Sequence, residues 1–271
     1  MKYSKGYTKK TRLSYSSLKH FYSSPIDFIK YINQDYKWTD SMVLGSAVDC
    51  KLLEPEKFND KFIIVPKIDK RTKQGKEDYK NLQERLKDSD LISISEELND
   101  QAELMVNNLK TNQFSKMILD NTTEVQKNIS FNFKGYNIKG ILDGFGELNN
   151  KPFIFDLKTS QDSDPERWNL NVIKWLYHLQ AYIYRHGIIK EKQIIPDFYH
   201  VIIENKAPYK VSVVKFSNDI LNSGKKIFNK IMEDFDYCVK NKSWDQGHEF
   251  NHVNIKEINF PDWYLNKIKN N

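Results

Sequence analysis

Cysteine is almost missing from this chain, with Cys50 and Cys238 the two in 271 residues. They lie far apart and neither has a C-x-x-C companion, so no disulfide framework and no four-cysteine zinc or iron–sulfur centre can be built from them. Two ordinary thiols in a reducing cytoplasm are expected. Long apolar runs are absent too. No stretch approaches the ~20 apolar residues of a membrane helix, and the early lysines are not followed by the apolar core of a secretion signal. The sequence therefore predicts a soluble protein without a membrane partner. Charge of one sign does not dominate either: the net charge is +6 and the isoelectric point about 8.9, which permits contact with nucleic acid without arguing for it. No internal repeat and no low-complexity segment is present.

What the chain does have is aromatic residues, sixteen phenylalanines, fifteen tyrosines and five tryptophans, enough to fill a core with some to spare for stacking on bases. Its length suits one elaborated domain, 1–271, with a helical N-terminal part over about 1–120 and a core over about 121–243. Apolar spacing predicts a helix from Leu13 to Ile32, with Ser14 as cap and a break at Pro25, and a second from Ser41 to Leu53. Pro66 to Lys80 carries six cations and reads as an exposed loop entering a helix. Leu82 to Leu119 reads as mostly helical, offering Leu104, Val106, Leu109 and Ile118 to a core.

From Val125 the period changes to two. Val125 to Phe133, Tyr136 to Leu148 and Phe153 to Leu157 read as three strands in a meander. A helix then runs from Pro165 to about His186, capped by Asp164. Phe198 to Glu204 and Lys210 to Phe216 form a second hairpin, and Ser217 caps a closing helix to about Lys240. The whole predicts an α/β (α+β) fold, a central mixed sheet flanked by helices.

The turns of the meander fix its register. A two-residue loop at Lys134 and Gly135 sets Gln126 opposite Asp143, and a second at Asn149 and Asn150 sets Asp143 opposite Asp156. Lys158 shares the face of Asp156, while Ile129, Phe131, Phe133, Ile138, Leu142, Phe153, Phe155 and Leu157 form the opposite, apolar face. Two opposed carboxylates repel unless a cation lies between them, and oxygen ligands of this kind suit Mg2+ or Mn2+. A lysine beside such an ion completes a hydrolytic site for phosphodiesters. Alone, D-x-K is a weak signal, and both aspartates could be solvated sheet residues.

The segments LSYSSLKHFYSSP, GSAVDCKLLEPEKF, PKIDKRTKQGK, ILDGF, FDLKTS and WLYHLQAYIY, in this order, resemble the PD-(D/E)xK nuclease superfamily. Within it they are similar to the exodeoxyribonuclease VIII-like and lambda-exonuclease-like phage recombination nucleases. The resemblance implies a restriction-endonuclease-like core. It makes Asp143, Asp156, Lys158, Gln180 and Gln126 the candidate catalytic set, with Asp143, Asp156, the Leu157 carbonyl and Asp49 around Mg2+, for which Mn2+ could substitute. Gln180 and Tyr184 match the family's Q-x-x-x-Y helix, one turn apart. Without the resemblance they could be a polar helix edge and a core aromatic. Lys70, Arg71, Lys73 and Lys76 become candidates for phosphate contacts, with Tyr184 and His178 also placed toward DNA. His178 has no second ligand at zinc spacing, and packing is its other reading.

Two positions depart from the pattern. Asp49 stands where relatives carry histidine in G-x-x-x-H, and Gln126 where they carry glutamate, with Glu124 two residues away as a substitute. The resemblance implies an enzyme, a Mg2+-dependent deoxyribonuclease acting as an exonuclease on linear double-stranded DNA, 5′ to 3′, in recombination or phage DNA metabolism. A homo-oligomeric ring and a single-strand annealing partner come with it. An endonuclease of the same fold and a DNA-binding protein that has lost catalysis remain the alternatives.

Overall fold

In a computed structural model of the chain, residues 13–34, 37–69, 71–87 and 89–251 are described, with 259, 262 and 265 beyond them. Contacts divide the chain into two compact units, one of residues 9–15 and 35–230, the other of 1–8, 16–34 and 231–271.

The larger unit is built on a five-stranded sheet. Its strands are β3 (Thr122–Phe133), β4 (Tyr136–Leu148), β5 (Lys151–Ser160), β6 (Asp197–Glu204) and β7 (Val211–Lys215), adjacent in that order, while β1 (Phe62–Val65) and β2 (Ile92–Ser95) form a separate parallel pair. Only the β5–β6 pair of the large sheet is parallel, so the sheet is mixed. Parallel neighbours need a long crossover. Here α8 (Trp168–Trp175) and α9 (Tyr177–Lys192) supply it.

Both turns of the meander adopt the backbone the register requires. Lys134 and Gly135 have φ of 50° and 88°, Asn149 and Asn150 of 52° and 60°, the double left-handed conformation of a tight hairpin. The pairing follows: Val125 faces Gly144, Lys127 faces Leu142, and Gly144 faces Phe155.

The expected single apolar face is a sheet covered on both sides. Phe153 and Phe155 pack with Val201 and Ile203 under α3 (Asp40–Leu53) and α6 (Glu96–Thr111), yet Ile154 and Ile202, which alternate with them, are equally buried. On the hairpin, Gly140 leaves room for a ring of α9: a Cβ there would lie 2.7 Å from Tyr184.

Three expectations change. The helical reading of 82–119 is cut by β2, so that α5 (Lys73–Lys87), α6 and α7 (Gln113–Asp120) are separate helices. Alternating Ile92 and Ile94 beside β1 outweigh helical propensity there, and Leu104 is exposed while Val106, Leu109 and Ile118 are buried. Pro165 starts a turn instead of a helix, and the helix that follows breaks at Leu176, whose φ is 56° and ψ 38°. Asp164 still caps that turn, accepting from the Glu166 amide at 3.0 Å.

The smaller unit holds most of α1 (Tyr15–Ser23), then α2 (Pro25–Asn33) and the last part of α10 (Asn218–Asn241). Pro25 opens α2 behind a Ser24 cap. Aromatic packing dominates this unit: Phe21, Phe28, Phe235 and Trp244 meet with ring centroids 5.1–6.3 Å apart. Among the described residues no helix is long and apolar enough to cross a membrane.

Candidate active site

The ladder between β4 and β5 stops at Gly144 and Phe155, immediately before Asp143 and Asp156. Beyond it the two strands part, and a side chain replaces the missing backbone bond: Asp143 Oδ2 accepts from the Leu157 amide at 2.6 Å. β5 continues against β6 alone as far as Ser160. The two carboxylates thus stand where a sheet forks.

Helix α3 brings a third. Gly45 of α3 faces Thr159 of β5, where an added Cβ would be 3.1 Å from the hydroxyl. Asp49 follows one turn later on the same face, and its Oδ2 accepts from Gln126 Nε2 at 2.9 Å. Gln126 has a φ of 47°, strain of the kind that costs about 1–3 kcal/mol and gathers at functional sites. The neighbouring pairs keep the expected count, Val125 opposite Gly144 and Gly144 opposite Phe155, but Asp143 and Asp156 lie beyond the ladder between their strands, and Gln126 bonds Asp49.

Asp156 is buried and receives Gln180 Nε2 at 2.7 Å on Oδ1, while its Oδ2 forms an ion pair with Lys158. The Oδ2 atom has no hydrogen-bond donor besides, and the buried Oε1 of Gln180 has no partner at all among the described residues. Tyr184, one turn on, holds its hydroxyl 3.2 Å from Gln180 Nε2. Lys158 Nζ lies over the ring of Tyr177, 4.6 Å from its centroid.

Burial sets the protonation of this cluster. It pushes Asp143 well above the ordinary carboxylate range, reinforced by Asp156 and Asp49. Asp49 is pushed up to about 6 by burial and by Asp156. Asp156 is also raised by burial, against the pull of Lys158 and Gln180. For Lys158 burial acts downward, but Asp156, Tyr177 and Asp143 outweigh it and the ammonium is held above its usual value. The folded chain has thus gathered carboxyl groups that resist ionisation, a resistance that a bound cation would relieve.

Among the described residues no three acidic, histidine or cysteine side chains are gathered closely enough to cage a metal ion. Mg2+ does not require such a cage, since it keeps several waters and is commonly held by one or two carboxylates. The Asp143 and Asp156 carboxylates, with the unpartnered amide oxygen of Gln180 beside them, fit such an ion chemically.

The remaining candidates separate. His178 is buried, its Nδ1 3.1 Å from the Val172 carbonyl oxygen, and burial lowers its pKa. Tyr184 is buried against β4. Both side chains are buried, where exposed positions toward DNA are expected. Glu124 does not reach the row: Lys127 and Lys192 hold its two oxygens at 2.9 and 2.7 Å. Lys70 lies outside the described residues. Arg71 is exposed and bound through Nε and Nη2 to Asp69 at 3.0 and 3.1 Å, and Lys73 and Lys76 are exposed on α5.

Sequence reasoning misses Tyr15, Trp168, Tyr177 and His200. His200 faces Asp156 across the parallel ladder, is fully buried, and accepts from the Trp168 indole N–H at 3.0 Å. A lone histidine in the apolar alternation of β6 is its signal. Tyr15 donates to the Trp175 carbonyl at 2.5 Å, and its hydroxyl is raised by burial and by nearby Tyr177 and Asp156.

A mixed sheet with helices on both faces and an acidic pair where two strands fork is the PD-(D/E)xK class of core. Residues 14–250 match the family described as "PDDEXK-like domain of unknown function (DUF3799)", and the chain belongs to it. Among solved structures it is similar to that of a "Putative exonuclease" from Eubacterium rectale, with a TM-score of 0.60 and 16% identity over 96% of this chain and 95% of that one. The structure of SSO0001 matches at a TM-score of 0.29 and 17% identity, over 70% of this chain and 87% of that one. No curated protein matches by sequence.

Proposed function

We propose that this chain is a metal-dependent deoxyribonuclease that hydrolyses linear double-stranded DNA from its ends, 5′ to 3′, with Mg2+ as its ion. The observation that carries the reading is Asp156, buried at the strand fork beside Asp143, with Lys158 on one oxygen and Gln180 on the other. Family membership and the order of the sequence segments support it. The direction, a place in recombination, a ring-shaped oligomer and an annealing partner rest on the resemblance alone.

Asp143 and Asp156 would hold the ion, with the Leu157 carbonyl and, directly or through water, Asp49. When bound, the ion polarises the phosphate and lowers the pKa of a water. The chain supplies the rest. Lys158 sets an ammonium where negative charge grows on the phosphate oxygens as water adds to phosphorus and the P–O bond breaks. Gln180 fixes the Asp156 carboxylate through Oδ1, and its own Oε1 is an acceptor available to a water. Tyr184 keeps Gln180 in that rotamer.

The test is digestion of linear duplex labelled at its 5′ or 3′ end, with Mg2+ or Mn2+, against Asp156→Ala and a closed circle. Loss of the 5′ label first, an intact circle and a silent variant are expected. Cleavage of the circle would make the enzyme an endonuclease. No digestion with either ion would leave a DNA-binding relative.

A further inference from the structure

Lys158 is the cation paired with Asp156 in the acidic cluster, and something must hold its four-carbon stem in place there. Its ammonium has two neighbours of different kinds, the Asp156 carboxylate and the face of Tyr177. Tyr177 is not itself free to move. Its ring stacks on Trp168 at 6.1 Å and 18°, and meets His200 edge-on at 4.9 Å.

This box exists because of the break at Leu176. In one continuous helix, residues 168 and 177 would be about half a turn apart and face opposite ways. The left-handed Leu176 ends α8 and restarts the chain as α9, so both rings reach His200. A non-glycine residue held there stores strain close to the site. His200 adds a second constraint. An indole N–H can only donate, so His200 Nδ1 must accept and its proton sits on Nε2. The ring is therefore neutral, in keeping with a pKa driven far down by burial and by Lys158, and it does not repel the ammonium.

We propose that Tyr177 is a positioning residue for Lys158: its ring, clamped by Trp168 and His200, holds the ammonium beside Asp156 by a cation–π contact. The inference deepens the nuclease reading and rests on it for its kinetic consequence, though not for the contact itself. The contact is with the ring face, 4.6 Å from its centroid, and phenylalanine keeps that face.

The test is Tyr177→Phe followed by mono-, di- and trifluorophenylalanine at 177, a series that drains the ring face of negative charge while keeping its shape. Two readouts are taken on the full chain: kcat and KM for duplex cleavage with Mg2+, and labelling of Lys158 by reductive methylation, read by mass spectrometry without metal or DNA. Tyr177→Phe is the parent of the series, and each fluorinated residue is compared with it. Across the fluorinated series kcat should fall by about 2- to 30-fold in total, with KM and Tm constant, while Lys158 labelling rises in step. A flat labelling series overturns the proposal. If the native chain cleaves nothing, the nuclease reading fails by itself and the labelling series still decides whether Tyr177 holds Lys158.

Discussion

The acidic fork and the basic segment from Lys67 to Lys80 carry opposite charges and obey different physics. Asp156 leaves 4% of its side chain exposed, and each charge near it shifts the others. Lys67 and Arg71 leave 87% and 91% exposed, and their partners Glu97 and Asp69 are themselves largely in water. Exposed pairs of that sort contribute little to stability, whereas buried ones dominate the behaviour of their surroundings. On the proposed function the chemistry belongs to the fork, and the segment offers at most a salt-sensitive grip. Substitutions on either side should sharpen that contrast or break it.

The largest effect is expected from Asp143→Asn. It keeps the shape and an acceptor for the Leu157 amide but removes a charge, so cleavage should fall on the order of 10³-fold. Stability should move the other way. Because the folded chain raises the pKa of Asp143, its ionisation costs stability as pH climbs from the ordinary carboxylate range through that raised value. At neutral pH the amide removes that cost, so Tm should hold or rise. Mg2+ should raise the Tm of the native chain and leave the variant unmoved, since an ion that binds only the folded state stabilises it by mass action. A variant that melts well below the native chain would mean that the carboxylate serves structure.

Gln180→Leu should cost about 10- to 100-fold in activity, the usual loss when a residue that orients a metal-binding carboxylate is removed. It leaves Asp156 with Lys158 alone and unties Tyr184. Measured against Mg2+ concentration, the loss should appear as a weaker apparent affinity for the ion. A fall in kcat at saturating Mg2+ without that shift would place Gln180 on the substrate instead.

The same contrast explains what is legible in the sequence. Paired turn residues with left-handed backbones set the register at Lys134–Gly135 and Asn149–Asn150, and local rules reach that far. The parallel insertion of β6 beside β5, which brings His200 opposite Asp156, depends on the long crossover over residues 161–196 and leaves no local mark. The break at Leu176 has no glycine or proline to announce it, so an unbroken helix is the natural expectation and Tyr177 escapes notice. The short strands β1 and β2 stabilise each other across a gap that contains a helix, and neither is long enough to declare itself. Counting along the hairpin locates Gln126, but its bond to Asp49, 77 positions away, belongs to tertiary structure.

The smallest effect should come from the basic segment. Lys73→Ala with Lys76→Ala removes two exposed charges from α5, neither of which touches the fork. If both meet backbone phosphates, the slope of log affinity against log salt should shrink by about 0.9 for each phosphate no longer neutralised. KM should rise a few-fold at low salt while kcat holds. Asp69→Ala is the counterpart, because it frees the Arg71 guanidinium from its carboxylate and should strengthen binding slightly under the same conditions. Salt slopes that stay parallel to the native chain in both variants would take the segment out of the DNA path, leaving the charge that meets DNA to be sought on other elements.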